Sequence, residues 1–456
     1  MSMYTSSKVV LEFRFAGEKG LGAGVTASFY SAVAAELQRR SANVKLPIWV
    51  DNDSMGDPQA FLAPPSGLFP MPLPPVVDIE AEAGGSSALL AARKRALAHR
   101  RRTIVGRFRF LGRLAARCLM DGQVLPLSLS VDFLRLVLAV IDDHARAQGQ
   151  ETGATGKAGS CTSPTFGSDV DVSLQAQAMA GADADVSQSS DDESTGQVYA
   201  TASCLLSVDD LPRLYHGPGA IVGKIWRACF VDECSKEIDG MPLEDFLELS
   251  SLAMTDPISK APLVSGGADI DVTMENVNDY VEMIAARWLH TGLMPQVDAF
   301  RAGCAEVFPV HMLRALSPQE LHDQLCGEEA FDWPLEHLQE AVLPGPGYTR
   351  NSLPFCNFLR CLSEMSSEAK RNFLLFVLGC PHLPPGGLCA LTPPLEVSRK
   401  QGAGGAFAME DEVDKDLPFA RTCTHTLHLP PYSQFEVLRD KLAYAIDNSQ
   451  GVIDRD

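Results

Sequence analysis

The chain predicts an α+β fold built from more than one domain. Three observations carry that expectation. Its 456 residues, 46% of them hydrophobic, suffice for a sizeable core. Apolar residues recur at helical spacing along most of its length. Near the end, residues 424–429 (THTLHL) nearly alternate polar and apolar, then a double proline gives way to another helical pattern.

Taken in order, Phe108, Leu111, Leu114, Ala115, Cys118 and Leu119 predict a helix over 105–120 that Asp121-Gly122 stops, and a second amphipathic helix spans 131–142. The pattern then collapses. Residues 145–197 are rich in Gly, Ala, Ser and Asp, with Phe166 the only aromatic, and cannot bury enough apolar surface to offset ordering entropy. A disordered acidic insertion is expected there. Ser189 and Ser190, ahead of Asp191, Asp192 and Glu193, suit an acid-directed kinase, although solvating filler is the simpler reading. Order returns near Cys204. Helices over 220–234 and 276–289 flank LEDFLELSSLAM (243–254), whose apolar content predicts at least one short strand. Helices over 295–307 and 318–326 lead to a hinge over 327–333.

Beyond the hinge, Phe355, Phe358, Leu359 and Leu362 form one helical stripe, and Ser366 or Ser367 caps a second helix that ends at Gly379. Residues 401–416 form a flexible acidic loop. In the strand that follows, Leu427 and Leu429 share one face while Thr426 and His428 take the other, with His428 at the surface. Pro430 and Pro431 end it because neither donates a ladder hydrogen bond. Ser433 and Glu436 have capping-box spacing; Leu438, Leu442, Ala445 and Ile446 make a buried stripe, and Gly451 closes the helix. Cys423 stands just ahead of this strand, held in place without being buried, which is where a nucleophile belongs.

The formal charge of −20 opposes nucleic acid and anionic membrane and favours basic partners. RKRALAHRRR (93–102) is the exception, read as a solvated helix face in preference to a nuclear-localisation patch. The longest apolar stretch, VDFLRLVLAVI, is too short to span a bilayer and carries Asp132 and Arg135. The N-terminus lacks a signal-peptide pattern, so a soluble intracellular protein is expected. The 12 cysteines form no CxxC pair and no zinc grid, so most should be small buried hydrophobes, with no metal and no cofactor. GLGAG (20–24) is weak evidence for phosphate binding.

Residues 417–451, LPFARTCTHTLHLPPYSQFEVLRDKLAYAIDNSQG, closely resemble the C-terminal signature of HECT-type ubiquitin ligases: Leu417-Pro418, Thr422-Cys423, the strand 427–430, then Pro431-Tyr432-Ser433 leading to Lys441-Leu442 and Ala445-Ile446. The likeness continues upstream through VLEFRFAGEKGLGAGVTASFYSAVAAELQR, GLFPMPLPP, FRFLGRLAARCLMDGQVLPLSLS, FRAGCAEVFPVHMLRALSPQELHDQLCG, PGYTRNS and FLLFVLGCPHLPPGG, in the same order as in the family. The glycine-rich opening and PVHMLRALSPQEL look most like the branch of the thyroid-receptor-interacting and ubiquitin-fusion-degradation ligases, which are usually far longer. A substrate-binding N-terminal part would then be absent or supplied elsewhere.

The resemblance implies a bilobal fold. A mostly helical N-lobe would span 1–330, containing the insertion 145–197 and a small α/β sublobe over about 204–300 that docks the ubiquitin-conjugating enzyme. A C-lobe would span 334–456. The implied partners are ubiquitin, its conjugating enzyme and protein substrates, with no nucleic acid and no membrane, in cytoplasm or nucleus. Cys423 would accept ubiquitin as a thioester and pass it to a lysine. Thr422 would fix the loop, and Asp454 or Asp456 would take the lysine proton, since family tails fold back towards the cysteine. His425 replaces the family's usual asparagine; it is read either as a base pointing towards Cys423 along an extended chain or as a polar strand residue. Arg421 adds positive charge beside the thiol. Val452 and Ile453 occupy the region where the family has a phenylalanine important for transfer. Two other readings are a thiol hydrolase, for which a separate His and Asn/Asp set is missing, and an inactive module that binds ubiquitin or its carrier without transfer.

Overall fold

A computed structural model describes residues 13, 22–39, 48–51, 61–62, 64–73, 87–139, 206–231, 236–329, 332–400 and 413–449. The chain divides into one unit formed by Met1–Leu138 with Cys204–Asp456, and a second formed by Ala139–Ser203. The expected insertion at 145–197 and most of the acidic loop lie outside the described residues.

The first unit opens with α1 (Ala23–Gln38), α2 (Ser87–Met120) and α3 (Val131–Leu138). The expected helix over 105–120 is thus the C-terminal half of a 34-residue helix. The basic run 93–102 forms part of its N-terminal half, where Arg95, Arg100 and Arg102 are exposed, as the solvated-face reading requires. After α4 (Leu211–Leu214) and α5 (Pro218–Phe230) comes a two-stranded hairpin of β1 (Glu237–Ile238) and β2 (Met241–Pro242). Next are α6 (Leu243–Ser250), α7 (Val277–Ala286) continued by a π turn Arg287–Thr291, α8 (Met294–Ala305) and α9 (Pro318–Cys326).

The strand expected within 243–254 is reduced to an isolated antiparallel bridge between Ala253 and Asp271, and most of the run is helix. Leu243 and Leu247, four apart, are the two residues that α6 buries, which is helical spacing. Glu244 and Asp245 fall in its first turn, where the helix dipole favours carboxylates. Among the described residues, the paired strands next to it are the short β1 and β2 just upstream.

α2 and α8 cross at contact distance because both are glycine where they meet. A Cβ at Gly112 would strike the Phe300 carbonyl, and one at Gly303 the Arg109 carbonyl. The Cys304 thiol donates to the Gly112 carbonyl at 3.2 Å across this crossing. Trp49, Phe108, Phe133 and Phe300 then stack edge to face at 5.4, 5.9 and 5.3 Å, extending the core into α3. In α9 the capping box forms: Ser317 Oγ accepts from the Glu320 amide and Glu320 accepts from the Ser317 amide.

A separate hydrophobic core is drawn wholly from residues 333–446. Its elements are α10 (Leu335–Ala341), β3 (Leu343–Pro344), α11 (Leu353–Glu364), α12 (Ser367–Leu378), β4 (Glu396–Arg399), β5 (Phe419–Arg421), β6 (Thr426–Leu429) and α13 (Phe435–Ser449). Among the described residues the strands form one sheet in the order β3-β4-β6-β5, with β5–β6 the antiparallel pair. Val397, Leu427 and Leu429 are fully buried, and α13 packs against α11 and α12 through Leu438, Leu442, Ala445 and Ile446. Ser366 caps α12 and Gly379, at φ 75°, ends it. The capping box expected of Ser433 and Glu436 is replaced by another contact: Ser433 gives both its amide and its hydroxyl to Asp414, at 3.0 and 2.5 Å. The helix starts two residues later, at Phe435. Together these elements make a mixed α+β architecture.

Candidate active site

Residues 422–425 form the tight turn between β5 and β6, and Cys423 is exposed on it. The turn is closed by the Thr424 amide donating to the Arg421 carbonyl at 3.2 Å. Thr424 and Thr426 hydroxyls meet at 2.9 Å. His425 adopts a left-handed φ of 49°, so the chain is not extended between it and Cys423. The geometric reason for aiming its ring at the thiol therefore fails. Its Nδ1 instead donates to the Pro393 carbonyl at 2.6 Å, and its own carbonyl accepts from the Glu396 amide at 2.9 Å. Burial, only partly offset by that carbonyl, lowers the pKa of His425.

The other side of the turn meets the start of α1. The Cys423 Sγ lies 3.4 Å from where a Cβ on Gly22 would stand. A Cβ on Gly24 would overlap the Thr422 hydroxyl and come within 2.9 Å of the Cys423 amide. Only a residue without a side chain lets the helix approach this closely. α1 also reaches the end of α12, where the buried Ser31 hydroxyl donates to the Gly379 carbonyl at 2.8 Å. A second crossing pairs Glu328 with Leu383 through backbone bonds of 2.7 and 3.2 Å, beside His382, whose Nδ1 donates to the Cys326 carbonyl at 2.6 Å.

The hairpin is fastened from beneath. Tyr432 donates to the Asp416 carbonyl at 2.7 Å, Ser433 holds Asp414, and Lys400 donates to the Leu417 carbonyl at 3.0 Å. The Pro-Tyr-Ser turn thus pins the segment that enters β5. His428 is not a surface residue: it is half-buried and stacked on Phe419 at 4.4 Å, and burial followed by nearby Arg421 lowers its pKa.

The described cysteines separate by environment. Cys118, Cys304, Cys326, Cys361 and Cys380 are buried, while Cys356, Cys389 and Cys423 are exposed. Burial pushes the thiols of Cys361 and Cys380 up to about 11 and those of Cys304 and Cys326 up to about 12, which keeps them protonated at neutral pH. Among the described residues no three His, Cys, Asp or Glu side chains group as metal ligands, and no helix is long and apolar enough to cross a membrane. Asp454, Asp456, Val452, Ile453 and Gly451 lie outside the described residues. Sequence reasoning did not single out Gly22, Gly24, Pro393, Asp414 or the anchoring role of Tyr432. The GLGAG run was a visible signal for the glycines, and its Gly22 and Gly24 mark the close approach to the Cys423 turn.

The site is thus an exposed thiol on a sheet turn of an α+β chain. The chain belongs to the HECT-domain (ubiquitin-transferase) family, which it matches over residues 59–452. It is 31% identical to E3 ubiquitin-protein ligase hecd-1 of Caenorhabditis elegans over 98% of this chain and 15% of that protein. It is 31% identical to E3 ubiquitin-protein ligase UPL3 of Arabidopsis thaliana over 100% of this chain and 21% of that protein, and 27% identical to E3 ubiquitin-protein ligase TRIP12 of Danio rerio over 98% and 19%. The chain therefore spans about a fifth or less of the length of these relatives.

Proposed function

We propose that this chain is the catalytic part of a ubiquitin-protein ligase: Cys423 attacks the thioester carried by a ubiquitin-conjugating enzyme, takes ubiquitin as its own thioester, and yields it to a substrate lysine. The observation that carries the reading is the exposed Cys423 on a braced turn between β5 and β6, in a chain of this family. Exchange of one thioester for another is nearly balanced in energy, so it asks chiefly for an accessible sulfur held in position. Thr422 holds the turn, and Asp454 or Asp456 takes the proton when the lysine attacks.

The same reading assigns residues 1–330 to an N-lobe and 334–456 to a C-lobe, supported by the core confined to 333–446. It assigns conjugating-enzyme docking to the sublobe over about 204–300, where Leu249 is 76% exposed. The partners are ubiquitin, its conjugating enzyme and protein substrates, in cytoplasm or nucleus.

The test is incubation with a charged conjugating enzyme. The chain should form a ubiquitin adduct that thiol reductants cleave, then isopeptide products. Cys423→Ala should form neither while keeping its fold, and Cys423→Ser should trap a reductant-resistant oxyester. An adduct mapped by mass to another cysteine would overturn the assignment, and binding of the charged enzyme with no adduct would favour an inactive binding module.

A further inference from the structure

We propose that Cys389 and His337 form a second nucleophilic thiol site, distinct from Cys423, whose chemistry is modification by small peroxides. Cys389 is exposed on the single 3-10 turn Gly387–Ala390, and His337 projects from α10 so that its Nε2 lies 3.4 Å from the Cys389 sulfur. An imidazole nitrogen at that distance is placed to take the thiol proton as the sulfur attacks an electrophile.

The molecule supplies its own control. Cys356 is equally an exposed thiol on a helix, but its partner is the Arg350 carbonyl at 3.3 Å. A carbonyl accepts a hydrogen bond but is no base to take the proton as the sulfur attacks. The buried cysteines are shielded from solvent. Cys389 is therefore set apart by its basic neighbour and its access together.

Its position gives modification a structural consequence. The preceding Gly386 amide donates to the Glu328 carboxylate at 2.8 Å, and the Glu328 backbone pairs with Leu383. The Cys389 turn is thus tied to the crossing through which the segment after α9 meets the 333–446 core. In the reaction the Cys389 sulfur attacks one peroxide oxygen as His337 takes the thiol proton; an S–O bond forms and the O–O bond breaks. The departing hydroxide takes the proton held by His337 and leaves as water. Sulfur is oxidised to the sulfenic acid, the peroxide is reduced, and the ring returns to neutral.

Isotope-coded iodoacetamide labelling of the full chain at neutral pH, resolved by mass spectrometry, compares the cysteines within one sample. Cys389 should be alkylated about tenfold faster than Cys356, and His337→Gln should bring it down to the Cys356 rate. After hydrogen peroxide, dimedone should mark Cys389 in the native chain and in Cys423→Ala, and much less in His337→Gln. A Cys389 no faster than Cys356 in the native chain would overturn the proposal without recourse to any variant. So would an unchanged Cys389 rate in a His337→Gln protein whose melting temperature matches the native one.

Discussion

At the scale of single residues, what distinguishes Cys423 is the company of its turn. Gly24 leaves no side chain between α1 and Thr422, and Pro393 holds the His425 ring on the far side. Gly24→Val should push the turn off the helix: a helix-compatible residue keeps α1 intact while its side chain collides with Thr422. Hydrogen exchange of residues 422–425 should then accelerate about tenfold with the rest of the C-terminal core unchanged. Unaltered exchange there would show that the helix does not brace the turn. Tyr432→Phe removes one buried donor and leaves the Asp416 carbonyl unserved; a loss of about 1 kcal/mol in denaturant unfolding is expected. Cys423 was legible as a candidate because thirty-odd flanking positions constrain it. Gly24 was not, since its partner lies some four hundred positions away in the chain.

At the scale of elements, the β5–β6 hairpin carries a pH dependence. The His425 pKa in the folded chain lies below its ordinary value of 6.5, because burial penalises the imidazolium. The unfolded chain therefore binds the proton more readily. The stabilising contribution is fully present above about pH 6.5 and is lost as pH falls through the lowered folded value. Between about pH 7.5 and 5.5 the melting temperature of the native chain should drop more than that of His425→Asn; equal slopes would remove His425 as a cause. His428 and His382 shift in the same direction, so only the difference between the two proteins isolates His425. Elsewhere, α11 and α12 match their sequence patterns because one buried stripe and a cap settle a helix locally. Residues 243–254 did not, since a short apolar run is compatible with either period until something packs against it.

At the scale of the whole molecule, one core is drawn from residues 333–446 alone, and residues 139–203 stand between α3 and α4 in the chain order. Closing a longer loop costs only about 0.6 kcal/mol per doubling of length. Deleting residues 145–197 should therefore leave the melting temperature within about 2 °C of the native chain and leave intact the ubiquitin charging proposed for Cys423. A folded deletion protein unable to form the adduct would show that the segment acts in the chemistry.

The helices of the C-terminal core, the closing strand and helix, the place of Cys423 just ahead of that strand and the family likeness are properties of residues near one another in the chain, where periodicity, caps and motif spacing act, and the sequence by itself determined them. Tertiary structure decided everything that depends on distant partners. Ser433 turned from capping its helix to holding Asp414, because that carboxylate arrives from the preceding loop. His428 went under the Phe419 ring, because β5 pairs beside β6. The glycines of α1 acquired their purpose only when the Cys423 turn came to rest against them, a contact between opposite ends of the chain that no local pattern encodes.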